Sequence, residues 1–91
     1  MGFNTGTIET EYAEVTEHWS PRVIADLNGQ SVKLAKVQGQ LTWHSHRDED
    51  ELFLIWKGSL TIEYRDRPHV HLSAGDFHVV PRGVEHNPVA A

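Results

Sequence analysis

From Glu51 onward, short apolar segments alternate with turn residues at regular intervals. This alternation restricts the possible fold classes more than any other feature of the sequence. Leu60, Ile62 and Tyr64 alternate with polar residues, and a period of two is typical of a strand with one buried face. The following segments are equally short and are separated by Gly and Pro residues. Many short strands with such turns predict an all-β sandwich or barrel.

Helical character is confined to the first quarter of the chain. Apolar residues recur there at spacings of four, three and four, at Ile8, Tyr12, Val15 and Trp19. This stripe predicts a short amphipathic helix over residues 8–17, which ends before Pro21. Residues 22–27 and 31–38 then read as two strands joined by Asn28-Gly29, a dipeptide that strongly favours a tight hairpin turn.

Composition excludes several classes of protein. The chain has 91 residues, which predicts one domain spanning residues 1–91 with a single core. It contains no cysteine, so disulfides and thiolate metal sites are excluded. The formal net charge is −5 and no basic run is present, which argues against a nucleic-acid partner.

The sequence also predicts a protein without membrane attachment. Its longest apolar run, Leu52 to Trp56, is far too short to span a bilayer. The N-terminus lacks the basic-then-apolar pattern of a secretory signal. We therefore expect a cytoplasmic location.

A group of metal-ligand residue types lies between Trp43 and Gly58. His44 and His46 are two positions apart, so a strand would point both imidazoles to one face. The polar segment after His46 allows a turn that brings the Glu51 carboxylate back toward them. Imidazoles with one carboxylate suit a divalent transition metal and leave coordination positions open. The alternative is two exposed histidines in a polar loop.

The residues from Glu51 to Lys57 alternate between two faces of a strand. If Glu51 faces the interior to reach a metal, Phe53 and Ile55 face inward as well, and we expect these two to line the pocket. Three large apolar side chains then face outward: Leu52, Leu54 and Trp56. Such an outer face predicts a cover, either the N-terminal helix or another subunit.

Two motifs in order make the sequence resemble the cupin family. The first family motif is Gly, five residues, His-x-His, three or four residues, Glu, six residues and Gly. Its counterparts here are Gly39, His44, His46, Glu51 and Gly58, with four rather than five residues in the first interval. The second family motif is Gly, five residues, Pro-x-Gly, two residues, His, three residues and Asn, and Gly75, Pro81, Gly83 and His86 match it at every interval. The Asn that ends the second motif is absent, since position 90 is Ala.

The resemblance implies a fold and a ligand set. It implies a jelly-roll barrel, or double-stranded β-helix, over about residues 22–89. It also implies that one divalent transition metal (Fe, Mn, Ni, Co or Zn) is bound by His44, His46, Glu51 and His86. The sequence does not choose among these metals. No acidic partner or motif position accompanies His69 and His71, so we expect both to be surface histidines.

Three functions are compatible with such a site. The first is an enzyme acting on a small polar molecule; small cupins of this kind resemble the cupin portion of mannose-6-phosphate isomerases, and other cupins are dioxygenases. No residue here anchors either reaction. The second is a noncatalytic module that holds a small ligand through the metal, and the third is a scaffold for protein interactions. Fold analogy alone does not decide among them.

The C-terminal end of the sequence bears on assembly. Jelly rolls of this family continue with at least one more strand after the second-motif histidine, whereas this sequence ends at Ala91. Two interpretations follow from this: either the sequence is a fragment that lacks a C-terminal strand, or, if it is complete, we expect an open sheet edge beside His86. Together with the outward set Leu52, Leu54 and Trp56, this edge predicts a homodimer.

Overall fold

The computed structural model describes residues 3–90. Strands predominate and there is one short helix, so the prediction of an all-β fold with a short N-terminal helix is confirmed. The chain divides into two compact units, one ending at Val37 and the other beginning at Gln38. That the whole chain forms one domain stays a prediction.

The first unit is built on a hairpin. Strand β1 (Arg22–Leu27) pairs antiparallel with β2 (Gln30–Leu34), and Leu27 lies opposite Gln30 in the register. The two residues between them, Asn28 and Gly29, have φ angles of 51° and 78°. A two-residue turn with positive φ at both positions matches the right-handed twist of the flanking strands. The hairpin predicted from the Asn-Gly dipeptide is therefore confirmed.

The helix is shorter than the predicted span of residues 8–17. Helix α1 runs over Ile8–Tyr12 and lacks basic residues in its last turn. Acidic residues at positions 14 and 17 would face the negative end of the helix dipole, and a short isolated helix is marginal in water. Val15 is buried outside the helix. Within residues 3–90 no helix is long and apolar enough to cross a membrane, and the cytoplasmic location stays a prediction.

The second unit contains the remaining six strands, which form a four-stranded and a two-stranded sheet. In chain order they are β3 (Gly39–Gln40), β4 (Glu51–Leu54), β5 (Ser59–Tyr64), β6 (Val70–Ser73), β7 (Phe77–Val80) and β8 (His86–Ala90). The larger sheet has the order β3-β8-β5-β6, and β4 pairs with β7 in the smaller one. All of these pairings are antiparallel. The buried face of β5 carries Leu60, Ile62 and Tyr64, as the alternation in the sequence predicts.

Strand β8 corrects the prediction of an open edge beside His86. It lies between β3 and β5, with Gln40 opposite Val89 and Tyr64 opposite His86. Within the described residues, the edges of this sheet are therefore β3 and β6. The prediction rested on a further strand expected after His86, whereas His86 itself begins a strand in which Asn87 and Pro88 are buried.

The β4–β7 ladder has one inward and one outward face. Phe53 lies opposite His78 on the face shared with Glu51 and Val80, and these four side chains are half-buried or buried. The other face consists of apolar side chains that are all exposed: Leu52, Leu54, Phe77 and Val79. We call these four residues the apolar face. Trp56, just after β4, is exposed as well.

Candidate metal centre

The four residues that the motifs predict as ligands lie together in the second unit. His44, His46, Glu51 and His86 each offer one ligand atom, and these atoms lie within 4.8 Å of one another. The histidine pair precedes β4, Glu51 begins β4, and His86 begins β8. The structure thus brings together residues separated by up to 42 positions (86 − 44).

Backbone hydrogen bonds hold the two motifs against each other. The N–H groups of His44 and His86 each donate to the other residue's carbonyl oxygen, at 3.0 and 2.8 Å. The Gly83 N–H donates to the His46 carbonyl at 2.6 Å. Gly83 has a φ of 77°, a conformation that glycine adopts without steric cost. Gly83 of the second motif therefore takes up a conformation in which its N–H group bonds to the backbone of His46 in the first motif.

The tautomers of two histidines follow from their hydrogen bonds. His44 Nδ1 lies 2.8 Å from the Thr42 carbonyl oxygen, and His86 Nδ1 lies 2.9 Å from the Val84 carbonyl oxygen. A carbonyl oxygen only accepts hydrogen bonds, so each Nδ1 must carry the hydrogen. The Nε2 lone pair of each neutral ring is then available, as in metal sites where a backbone carbonyl orients the ligating imidazole.

The buried nitrogen of His86 tests whether a metal fits this cluster. His86 is fully buried, and its Nε2 atom has no hydrogen-bond partner. The nearest carboxylate oxygen, Glu51 Oε1, is 3.4 Å away, close enough for electrostatic contact but without hydrogen-bond geometry. A buried polar atom left unpaired costs free energy, and a metal ion would satisfy it. The donor set therefore fits a divalent transition metal.

The opposite side of the cluster is open to solvent. Glu51 Oε1 lies 2.9 Å from His46 Nε2, and both side chains are about one-third exposed. Because a carboxylate only accepts, His46 Nε2 carries the hydrogen in this contact. For His46 Nε2 to coordinate a metal, that hydrogen would have to move to Nδ1, so metal binding would change the tautomer of the ring. The exposed side leaves room for a small molecule to reach the metal position.

The predicted pocket residues lie on the face of β4 that carries Glu51. The Phe53 ring stands edge-on to the His86 imidazole, with centroids 6.1 Å apart. Ile55 follows with the same parity and is half-buried. Both positions agree with the inward face predicted from the sequence. Their role in lining a ligand pocket stays a prediction.

Arg65 bridges the residues that precede two of the ligands. Its guanidinium carbon lies 3.7 Å from the centroid of the Trp43 ring, and its nitrogens donate to the Glu85 carboxylate at 3.1 and 3.2 Å. Trp43 precedes His44 and Glu85 precedes His86. The segments around His44 and His86 are already joined by backbone hydrogen bonds, and Arg65 adds a connection through side chains.

A polar pair that sequence reasoning missed lies beside the cluster. Tyr64, opposite His86 in the sheet, has its hydroxyl 2.6 Å from His78 Nε2. Burial raises the pKa of the Tyr64 phenol, although nearby Arg67 opposes the shift. Burial also lowers the pKa of His78, and the positive charge of nearby Arg67 adds to the shift. Both shifts fit a protonated phenol that donates to a neutral imidazole.

The sequence held a weak signal for this pair. Tyr64 falls on the buried parity of β5, and His78 is the single polar residue within the apolar segment from Phe77 to Val80. A polar side chain in such a segment needs a buried partner. The partner is 14 positions away, and no motif spacing connects the two.

The lowered pKa of His78 predicts a pH-dependent stability. The ordinary pKa is 6.5, so as the pH falls through this value the unfolded chain binds a proton before the folded chain does. The stability that neutral His78 contributes to the folded protein is therefore fully present above pH 6.5. It is lost as the pH falls from 6.5 through the lower pKa of the folded state. We expect the urea midpoint of metal-free His78→Gln protein to fall less between pH 8 and pH 5 than that of the parent.

Glutamine can still accept from the Tyr64 hydroxyl, so this comparison isolates the titration of His78. His71→Gln serves as the control, because His71 is exposed and contacts the Thr61 hydroxyl outside the metal cluster. Parallel pH profiles for the parent and His78→Gln proteins would contradict the assignment. His69 is also exposed, in agreement with the sequence expectation for both histidines.

Comparison with known protein families covers the region that contains the four candidate ligands. The family model described as "Cupin domain" matches residues 30–91, which include all four candidate ligands. The chain belongs to the cupin family. Its β-sheet structure and its solved neighbours agree with a jelly-roll cupin fold.

Two crystal structures resemble this cupin closely. A cupin-2 domain containing protein from Shewanella frigidimarina is 44% identical with a TM-score of 0.88, and the match covers 92% of this chain and 81% of that one. Protein NMB1881 from Neisseria meningitidis is 25% identical with a TM-score of 0.87, over 96% of this chain and 88% of its own. Both similarities extend over most of each chain.

A curated relative is longer than the matched region. Uncharacterized protein YdbB from Bacillus subtilis (strain 168) is 37% identical over 73 residues, which make up 80% of this cupin. The match spans 65% of the relative's own length. The match with this chain therefore spans about two thirds of that protein.

Proposed function

We propose that this cupin binds one divalent transition metal through His44, His46, Glu51 and His86 and uses it to hold a small polar molecule. The observation that carries the proposal is the buried His86 Nε2, which has no hydrogen-bond partner and faces the other ligand atoms. A structural histidine would normally find a hydrogen-bond partner for this nitrogen. Three imidazoles and one carboxylate give a filled site a net charge of about +1.

The surrounding residues suit a ligand with both polar and apolar parts. Phe53 and Ile55 place apolar groups on the inward face beside Glu51, where they would exclude water. The Tyr64 and His78 pair lies nearby and offers hydrogen-bonding groups. Ligand sites commonly combine an apolar lining with a few placed polar groups.

The proposed metal site is compatible with two classes of reaction and with binding alone. A bound metal would supply a Lewis acid or, with iron, a redox centre. The reactions that we propose to test are therefore isomerisation of a small polyhydroxy compound and oxidation by dioxygen. A noncatalytic module would hold the same ligand through the same four residues without turning it over.

Metal analysis of the purified protein tests the proposal. Protein purified without added metal should contain about one equivalent of Fe, Mn, Ni, Co or Zn per chain, and anomalous scattering should place the ion among the four residues. A substrate-dependent rate abolished by a chelator would indicate an enzyme, whereas ligand binding without turnover would indicate the module. The proposal fails if none of the five metals binds at stoichiometric level when added to folded protein.

A further inference from the structure

We propose that Arg65 is a positioning residue that holds the chain segment carrying His44 in the arrangement that binds metal, an inference that rests on the proposed function. The Arg65 guanidinium carbon lies 3.7 Å from the centroid of the Trp43 ring, and its Nε and Nη2 atoms donate to Glu85 Oε1 at 3.2 and 3.1 Å. Trp43 and Glu85 each immediately precede a candidate ligand. One side chain therefore contacts both segments that bring these imidazoles to the cluster.

The position of Arg65 in the sheet places it behind the metal centre. Tyr64 lies opposite His86 in the β5–β8 register. Arg65 and Glu85 are the next residues in that register, and alternation along a strand points them to the face opposite His86. Both side chains are more than half exposed. Arg65 therefore acts on the metal centre only through the segments that it contacts.

The segment that carries His44 needs this support because it lies between strands, over residues 41–50. His44 is joined to His86 by an isolated bridge of two hydrogen bonds, 3.0 and 2.8 Å long. Such a bridge can open locally without the loss of a longer ladder. When the binding arrangement is only partly populated, the apparent dissociation constant of the metal rises in proportion. The contacts of Arg65 keep that arrangement populated before the metal binds.

The charge of Arg65 separates positioning from a direct electrostatic effect. A guanidinium near a cation site repels the metal ion, so removing the charge alone would strengthen metal binding. Removing the contacts would instead weaken binding, because the planar guanidinium joins an aromatic ring to a carboxylate. The two effects therefore have opposite signs.

Arg65→Gln tests the proposal in chelator-treated protein. We expect the dissociation constant for Zn²⁺ to rise by about fivefold, the size expected for one exposed ion pair and one cation–π contact. Without metal, NMR should show the His44 N–H exchanging with solvent at least about threefold faster relative to the N–H of Ile62. Ile62 is fully buried in β5 and reports global unfolding, so this ratio excludes a general loss of stability.

Trp43→Leu removes the stacking contact and leaves the charge unchanged. It should shift both quantities in the same direction, and it carries the test if Arg65→Gln does not fold. Arg22→Gln is the matched control, because Arg22 forms an exposed ion pair with Glu11 at 3.2 Å in the first unit. The control removes the same charge and should change neither quantity.

An unchanged or lower dissociation constant for Zn²⁺ in Arg65→Gln protein would overturn the proposal. So would equal acceleration of exchange at His44 and Ile62, since Arg65 would then contribute only to overall stability. If the parent bound none of the five metals, the proposed function would fail, whereas exchange at His44 would still decide whether Arg65 holds the segment.

Discussion

His46→Ala protein should bind a divalent transition metal at least about 100-fold more weakly than the parent, whereas His71→Ala protein should bind it equally well. Loss of an outer residue that only orients a ligand typically costs 10- to 100-fold in metal affinity, so loss of a direct ligand should cost at least as much. His46 Nε2 contacts Glu51 within the four-residue cluster, while His71 is exposed and bonded to Thr61 outside it. The two substitutions remove the same chemical group.

Titration calorimetry with Zn²⁺ or Mn²⁺ on chelator-treated protein would measure both affinities, with circular dichroism as the check on folding. The affinity of the parent for the metal should also weaken in acid. An imidazole must be deprotonated to coordinate, and the pKa of an unperturbed histidine is about 6.5. Equal metal stoichiometry and affinity in the two alanine variants would refute the site.

Leu60→Ala should lower the free energy of unfolding by about 2–5 kcal/mol, the usual cost of removing a buried leucine side chain. Leu60 is buried on β5 and lies opposite Leu72, which is also buried, on β6. Truncation would remove apolar contacts and leave a cavity between the two strands. Urea denaturation of metal-free protein, at one protein concentration for all variants, measures the loss.

Leu27→Ala provides the comparison, because it removes the same atoms from an exposed leucine in β1. Its cost should stay below about 1 kcal/mol, as for most surface substitutions. A similar loss in both variants would mean that the buried face of β5 contributes little more than an exposed strand position.

Part of the ligand cluster could be predicted from local spacing. The His-x-His period of two predicts two imidazoles on one face, and the polar turn after His46 brings Glu51 back toward them, whereas His86 was implied only by the resemblance to the cupin motifs. The parity of β4 likewise predicts that Phe53 faces inward and Leu52 outward, and the structure agrees. The inferences from spacing and from strand parity each depend on residues that are close in sequence.

Features that depend on distant residues were not predictable in the same way. The Tyr64 and His78 pair joins β5 to β7, and the apolar face combines β4 with β7. Neither follows until the pairing of strands is known. The length of α1 was also mispredicted, since its apolar spacing continues past Tyr12 while the acidic residues beyond it disfavour a longer helix.

The central position of β8 sets the order in which the metal centre can assemble. Residues up to 73 suffice for the local β5–β6 hairpin, but β5 and β3 have no common neighbour until residues 86–90 are present. Pairing across such long separations is slow, since the entropy of loop closure is lost before the contacts form. During synthesis, a nascent chain interrupted before His86 would carry two imidazoles and one carboxylate but lack the strand that brings in the third imidazole. We therefore expect metal loading to require that residues 86–90 have been synthesised and have paired with β5.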